Sequence, residues 1–173
     1  MVHLSARSRL AWGALQLVLS QCWWAGRLAV WLCGLPARLR RHSLPVLLHR
    51  LTPVQRRRLY RPLPRDHAVR LVIRVCHRRV FRRSLSLRAC LRQALALYYV
   101  LTRLGYPVEI HFGIQKRGKT LHGHSWVTVQ GELVAERARP DAFTIVYSYR
   151  SMVARSPRQE MVSSDGAGGA RRS

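Results

Sequence analysis

The chain has 173 residues, of which 48% are hydrophobic, and it carries a formal net charge of +24 from 31 basic and 7 acidic side chains. A chain of this length and apolar content forms a packed core without a disulfide framework, and its four cysteines contain no C-x-x-C pair that would indicate structural zinc. We therefore expect a reducing, cytoplasmic compartment and a positively charged surface that attracts anionic partners such as nucleic acid, acidic lipid or acidic peptide.

Residues 1–65 are predicted to form a helical, basic and apolar N-terminal region. Residues 10–26 hold no charge, but Arg27 interrupts the apolar run before it reaches the roughly 20 residues that a spanning helix needs. We expect an amphipathic helix that docks on a partner or on the rest of the chain; a membrane-surface element and a true span are the alternatives. Residues 36–65 are interrupted by Pro45, Pro53, Pro62 and Pro64, which indicates short helices joined by linkers.

Two further helices are predicted. The first runs from Asp66, as its cap, to Phe81, with apolar residues on one face at helical spacing: Val69, Val72, Ile73, Cys76 and Val80. The second begins at Ser84 or Ser86 and closes at Gly105, and its predicted buried stripe consists of Leu91, Ala94, Leu95, Tyr98 and Leu101. Cys76 thus lies among aliphatic side chains, whereas Cys90 lies in the opening turns of the second helix, where the helix dipole favours a thiolate.

From Val108 onward the hydrophobic period changes from 3.6 to 2, which predicts an antiparallel meander of three or four strands. A hairpin turn is expected around Gly118 and a second turn around Gly131. In the second strand, His122, His124 and Trp126 share one face and Ser125, Val127 and Val129 the other. In the last strand one shared face is predicted for Phe143, Ile145, Tyr147 and Tyr149, and residues 151–173 are predicted to be a disordered tail.

The sequence therefore predicts an α+β fold, in which a helical N-terminal region precedes a cysteine-bearing helix packed on the sheet. The core is expected to span residues 66–150. A cysteine at a helix start followed by a histidine on a strand is the arrangement of papain-like enzymes, in which the imidazole takes the thiol proton and a third polar residue orients it. An inert buried cysteine is the alternative for Cys90.

The identity of the third polar residue, which would orient the imidazole, depends on the length of one predicted loop. If Gln130, Gly131 and Glu132 close a three-residue loop, Val129 pairs with Leu133, and Glu136 lies on the face of His124 and within its reach. A two-residue loop would move Glu136 to the opposite face, and Asp141 is then the reserve candidate. A metal held by His111, His122 and His124 is a weaker alternative, since a lone H-x-H needs a further ligand.

The residues from Ser84 to Tyr149 resemble the peptidase domain of lasso-peptide maturation proteins, in the transglutaminase-like, papain-like superfamily. The resemblance rests on the order and spacing of the Cys-helix-Gly segment, "FGI" and "HSWV". It implies Cys90 as the nucleophile and His124 as the general base. The family's acid is usually an aspartate twelve residues beyond that histidine, where this chain has Glu136.

The resemblance implies a cysteine peptidase, without cofactor or metal, that removes the leader from a ribosomally made precursor peptide. It also implies two partners, a separate leader-recognition protein and an asparagine-synthetase-like cyclase, with the N-terminal region as the docking surface for a partner or for the periphery of a membrane. A transglutaminase-like acyl transferase and a basic adaptor for nucleic acid or anionic membrane are the alternative functions. The predicted sheet lacks paired aromatic residues for base stacking, so we expect no specific nucleic acid.

Overall fold

The structure is a computed structural model that describes residues 6–53, 62–78, 89–135 and 140–151, with side chains from Trp12 onward. Within these ranges the helices are α1 (Ala6–Cys33), α2 (Leu35–Arg41), α3 (Leu44–Leu51), α4 (Arg65–Cys76) and α5 (Ala89–Arg103). The strands are β1 (Val108–Arg117), β2 (Thr120–Val129), β3 (Glu132–Val134) and β4 (Thr144–Arg150). The predicted α+β fold, with a helical N-terminal region and a cysteine-bearing helix on an antiparallel sheet, is confirmed.

The N-terminal helices share one hydrophobic core with the rest of the chain. One face of α1 is buried through Trp24, Leu28 and Leu32, and the Trp31 ring stacks on Tyr99 of α5 with centroids 4.5 Å apart. A proline is the second residue of both α2 and α3, in the first turn, where amide hydrogens have no partner within the helix. Within the described residues, no helix combines the length and the apolarity that crossing a bilayer requires. The division of the chain at residue 65 stays a prediction.

Helix α4 differs from its predicted form at both ends. Pro64 is the residue before its first turn and no side chain caps it, so the prediction that Asp66 caps the helix is wrong; Asp66 lies inside the first turn. The helix ends at Cys76 and not at Phe81, because His77 and Arg78 form a turn. Its buried face does include Val72 and Cys76, as the helical spacing predicts.

Helix α5 is the centre of the molecule. It contacts α1, α4, β1 and β2, and every residue from Ala94 to Thr102 is buried. The predicted stripe marks only part of this surface, since a helix packed between other helices and a sheet is buried on most sides. The Tyr98 hydroxyl, inside this core, lies 2.6 Å from Thr52 Oγ1 at the end of α3 and so finds a polar partner. The predicted helix starts at Ser84 and Ser86 lie outside the described residues.

The sheet has the strand order β3-β2-β1-β4, all antiparallel. Strands β1 to β3 form a meander, and β4 returns to pair with β1. Gly118, at φ 60°, makes the predicted hairpin turn between β1 and β2. The helix face of the sheet carries Ile110, Val127 and Val129 toward α5, and the outer face carries the alternate side chains, including His124 and Trp126.

The buried thiol of Cys76 should make the fold sensitive to alkaline pH. Burial raises its pKa from the ordinary 9.0 to about 11, although the Arg92 guanidinium beside it acts in the opposite direction. This contribution to stability is complete below pH 9 and is lost as the pH rises through 11, because the unfolded thiol gives up its proton first. We expect the free energy of unfolding in urea to fall by about 2 kcal/mol over this interval.

The variant Cys76→Ala isolates this effect. Its free energy of unfolding should fall less steeply between pH 9 and 11 than that of the parent protein. Burial also raises the pKa of Tyr98 to about 12, so a decline above pH 10 remains in the variant. Identical slopes for the two proteins would show that the Cys76 thiol does not limit alkaline stability.

Candidate active site

A cleft of about 270 Å³ lies between α4, α5 and the edge of β2. Both Cys90 and His124 line it, so the structure brings these two sequence-predicted residues to one site. The cleft opens where β3 ends: Val134 pairs with Val127, and beyond it no described strand covers this edge of β2. His124 therefore contributes to the cleft from the rim of the sheet.

Cys90 follows Ala89, the first described residue of α5, and is half-buried. The first turn of a helix has amide hydrogens without partners inside the helix, and these can hydrogen-bond an oxyanion that forms beside them. The other cysteines lack this setting, since Cys22 and Cys33 are exposed on α1 and Cys76 is buried in the core. Cys90 is thus the cysteine that combines partial exposure with a helix start and a cleft.

His124 is held between two aromatic rings. It pairs with Gly113 across the sheet, and its ring centroid lies 6.0 Å from that of Trp126 and 5.0 Å from that of Phe143. His111 stacks on Trp126 from the other side, at 5.5 Å. Packing by flat rings restricts the rotation of the imidazole, so its orientation does not depend on a carboxylate alone.

Phe143 reaches this position because of a β-bulge. The pairing of β1 with β4 shifts between Phe112 and Gly113: Phe112 faces Tyr147, and Gly113 faces Ile145. The bulge changes which side chains share a face, so the prediction that Phe143, Ile145, Tyr147 and Tyr149 all lie together is wrong. Tyr147 and Tyr149 lie on the helix face and Phe143 on the outer face beside His124.

The predicted loop before β3 is also wrong. Val129 pairs with Glu132, so Gln130 and Gly131 alone form the turn, with φ of 55° and 85°. Positive φ at both positions is typical of a type I′ hairpin, whose twist matches that of the strands. The argument that placed Glu136 on the face of His124 required the three-residue loop, and it fails.

Of the two candidates for the third catalytic residue, the structure describes Asp141 but not Glu136. Glu136 lies outside the described residues. Ala135, just before it, has φ 57°, so the chain leaves the strand there and the pairing register cannot be extended to Glu136. Asp141 is exposed in a 3₁₀ turn at Pro140–Ala142, two residues before Phe143, whose ring contacts His124.

Two of the histidines considered as metal ligands, His111 and His122, make hydrogen bonds to different partners in the sheet. The two ring nitrogens of His111 lie 2.8 Å from Ser148 Oγ and 2.9 Å from Thr128 Oγ1, and burial lowers its pKa. His122 is exposed and hydrogen-bonds Thr120. Among the described residues, no three His, Cys, Asp or Glu side chains are grouped as a metal ion would require.

Gln93 is a cleft residue that the sequence reasoning missed. Its Nε2 donates a hydrogen bond of 3.2 Å to the carbonyl of Ala135, which ties α5 to the bend after β3. Its spacing of three from Cys90 puts both side chains on one helix face, and this is the signal that could have identified it. Phe143 gave no such signal, because only the bulge brings it to the site.

The hydroxyl of Ser125 allows a test of hydrogen bonding in the wall of the cleft. Its hydroxyl is buried in the cleft wall and has no hydrogen-bond partner among the described residues. A buried polar group without a partner lowers stability by about 1–3 kcal/mol, so Ser125→Ala should leave the melting temperature equal or higher. A fall in melting temperature would show that the hydroxyl is satisfied in solution, and calorimetry of both proteins decides.

The fold and the cleft define an α+β protein in which a cysteine at a helix start and a histidine on a strand share one site. A family model described as the transglutaminase-like superfamily matches residues 29–148. The chain therefore belongs to the transglutaminase-like superfamily, which generally includes cysteine-based enzymes. No curated protein and no solved structure matches it.

Proposed function

We propose that this chain is a cysteine peptidase that removes the leader from a ribosomally synthesised lasso-type precursor peptide. The observation that carries the proposal is the shared cleft of Cys90 and His124 in a chain of the transglutaminase-like superfamily. The resemblance of residues 84–149 to lasso-peptide leader peptidases supplies the substrate class. A separate leader-recognition protein and an asparagine-synthetase-like cyclase are the partners in this proposal.

The chemistry has two halves. His124 takes the proton of the Cys90 thiol, and the sulfur attacks the carbonyl carbon that joins leader to core, while amide hydrogens at the start of α5 stabilise the oxyanion. The C–N bond breaks, the imidazolium returns its proton to the departing amine, and the leader remains on sulfur as a thioester. Water, deprotonated by His124, then releases the leader as a carboxylic acid and restores the thiol.

The third residue orients the imidazole and balances its positive charge. Glu136 and Asp141 are the two carboxylates proposed for this role. Trp126 and Phe143 share the orienting task through ring packing, so removal of either carboxylate alone should reduce the rate less than removal of Cys90 or His124.

The test combines the full chain with a lasso-type precursor peptide and a leader-recognition protein. Mass spectrometry should find a free leader acid and a core peptide with a free amine. A leader joined to an added amine would identify an acyl transferase instead. Intact precursor, together with steeply salt-dependent binding to random DNA, would replace the enzyme proposal with the basic adaptor.

A further inference from the structure

Helix α1 is apolar on two opposite faces, and the part of the chain that the structure describes covers only one of them. The buried face carries Trp24 and Leu28 into the core. On the opposite side, each of a set of exposed residues has another member three or four positions away, so that together they form a continuous row, which we call the outer stripe: Trp12, Leu15, Val18, Leu19, Cys22, Gly26, Val30 and Cys33. Between Trp12 and Cys33 the stripe contains no charged residue.

The degree of exposure is unusual for such side chains. Trp12 is 60% exposed, Val18 56% and Val30 74%, although nearby positions on the same helix are completely buried. Single exposed apolar residues need no explanation, but a contiguous row of them indicates a surface that binds something.

The charge around the stripe selects the kind of partner. The first 65 residues of the sequence contain no acidic residue, since the seven acidic residues of the chain begin at Asp66. Arg27 lies on the flank of the stripe, over the Trp23 ring at 5.0 Å, and Arg40 and Arg41 are exposed on α2. The stripe therefore belongs to a region that is apolar and positively charged.

We propose that the outer stripe docks this protein on the surface of an anionic lipid bilayer. Apolar side chains enter the boundary between headgroups and acyl chains while arginines contact anionic headgroups, the combination that holds interfacial helices in place. A second copy of the chain is a poorer occupant because each copy carries a net charge of +24. Nucleic acid would satisfy the arginines but would leave the apolar stripe in water.

The geometry of α1 agrees with contact at the surface. Its inner face is fixed against α4 and α5, so the helix cannot turn that face toward lipid without breaking the core. No described helix is suited to crossing a bilayer. The helix would lie parallel to the membrane with the rest of the protein above it, and the proposal is independent of the reaction at Cys90.

The experiment uses the full chain and vesicles of phosphatidylcholine alone or with about one-third phosphatidylglycerol. Sedimentation should show binding to the mixed vesicles, weak binding to the neutral ones, and a loss of affinity as salt increases. The variant Leu15→Gln/Leu19→Gln removes apolar surface without changing charge. Its affinity should fall by at least about tenfold, because the contact of two leucines with lipid is worth more than one decade in Kd.

The chain offers a matched control in Leu121→Gln/Leu133→Gln, which makes the same chemical change at two leucines that are exposed on the sheet. This variant should bind the mixed vesicles within about twofold of the parent protein. Equal affinity of the two double variants would show that charge alone drives binding and would overturn the proposal. Failure of the parent protein to bind the mixed vesicles would also overturn the proposal. Loss of self-association or of a cyclase complex in the stripe variant, but not in the control, would assign the stripe to a protein surface instead.

Discussion

Replacing Cys90 with alanine is expected to lower the rate of leader removal by at least about 10³-fold, because no other group in the cleft can form the thioester. The side chain is half-buried and small, so the free energy of unfolding should change by no more than about 1 kcal/mol. Cys90→Ser retains the shape of the site but offers a much weaker nucleophile, and it should be almost as inactive. Cleavage is followed by mass spectrometry with the precursor and the leader-recognition protein present.

The remaining cysteines serve as controls for this result. Cys22→Ala and Cys33→Ala change exposed residues of α1 and should retain full activity. In a protein carrying both changes, iodoacetamide should modify Cys90 and leave the buried Cys76 intact. Undiminished trimming by Cys90→Ala would refute the mechanism, whatever the reactivity of the thiol.

The sequence predicted those features that depend on local periodicity. Alternation along β2 correctly separated His124 and Trp126 from Val127 and Val129, and the turn at Gly118 was recognised from its composition. On α4, helical spacing correctly predicted Val72 and Cys76 as buried but missed Leu71 and Val75. Such patterns are reliable because each residue's direction is fixed by a neighbour two to four positions away.

The errors arose where one backbone conformation sets the position of everything after it. Gln130 adopts a positive φ that its residue type does not announce, so the turn is one residue shorter than predicted and the register of β3 shifts. The bulge between β1 and β4 moves Phe143 to the face of His124 in the same way. The aromatic neighbours of His124 depend on register and could not be predicted from the sequence for this reason, and the same dependence defeated the argument that placed Glu136 beside His124.

A substitution at Gly113 tests the packing of Trp126 and Phe143 around His124 without changing Cys90 or His124. A Cβ added there would lie 2.9 Å from the Cβ of Phe143 and 2.9 Å from the Cη2 of Trp126. Real Cβ atoms do not approach carbon atoms this closely, so the two rings that flank His124 must move. The glycine is required here by the close packing of rings over the strand and not by a positive φ.

We expect Gly113→Ala to lower the free energy of unfolding by about 1–3 kcal/mol, the usual result of forcing an extra carbon into a packed site. Because the displaced rings orient His124, kcat should fall by about tenfold to 100-fold under conditions in which the variant is folded. The matched control is Gly13→Ala on α1, where an added Cβ meets nothing within 4 Å; it should raise stability by about 0.5–1 kcal/mol and leave kcat unchanged. Urea denaturation and cleavage rates measure both quantities. Normal activity in a destabilised Gly113→Ala protein would mean that Trp126 and Phe143 support the fold but do not orient the imidazole.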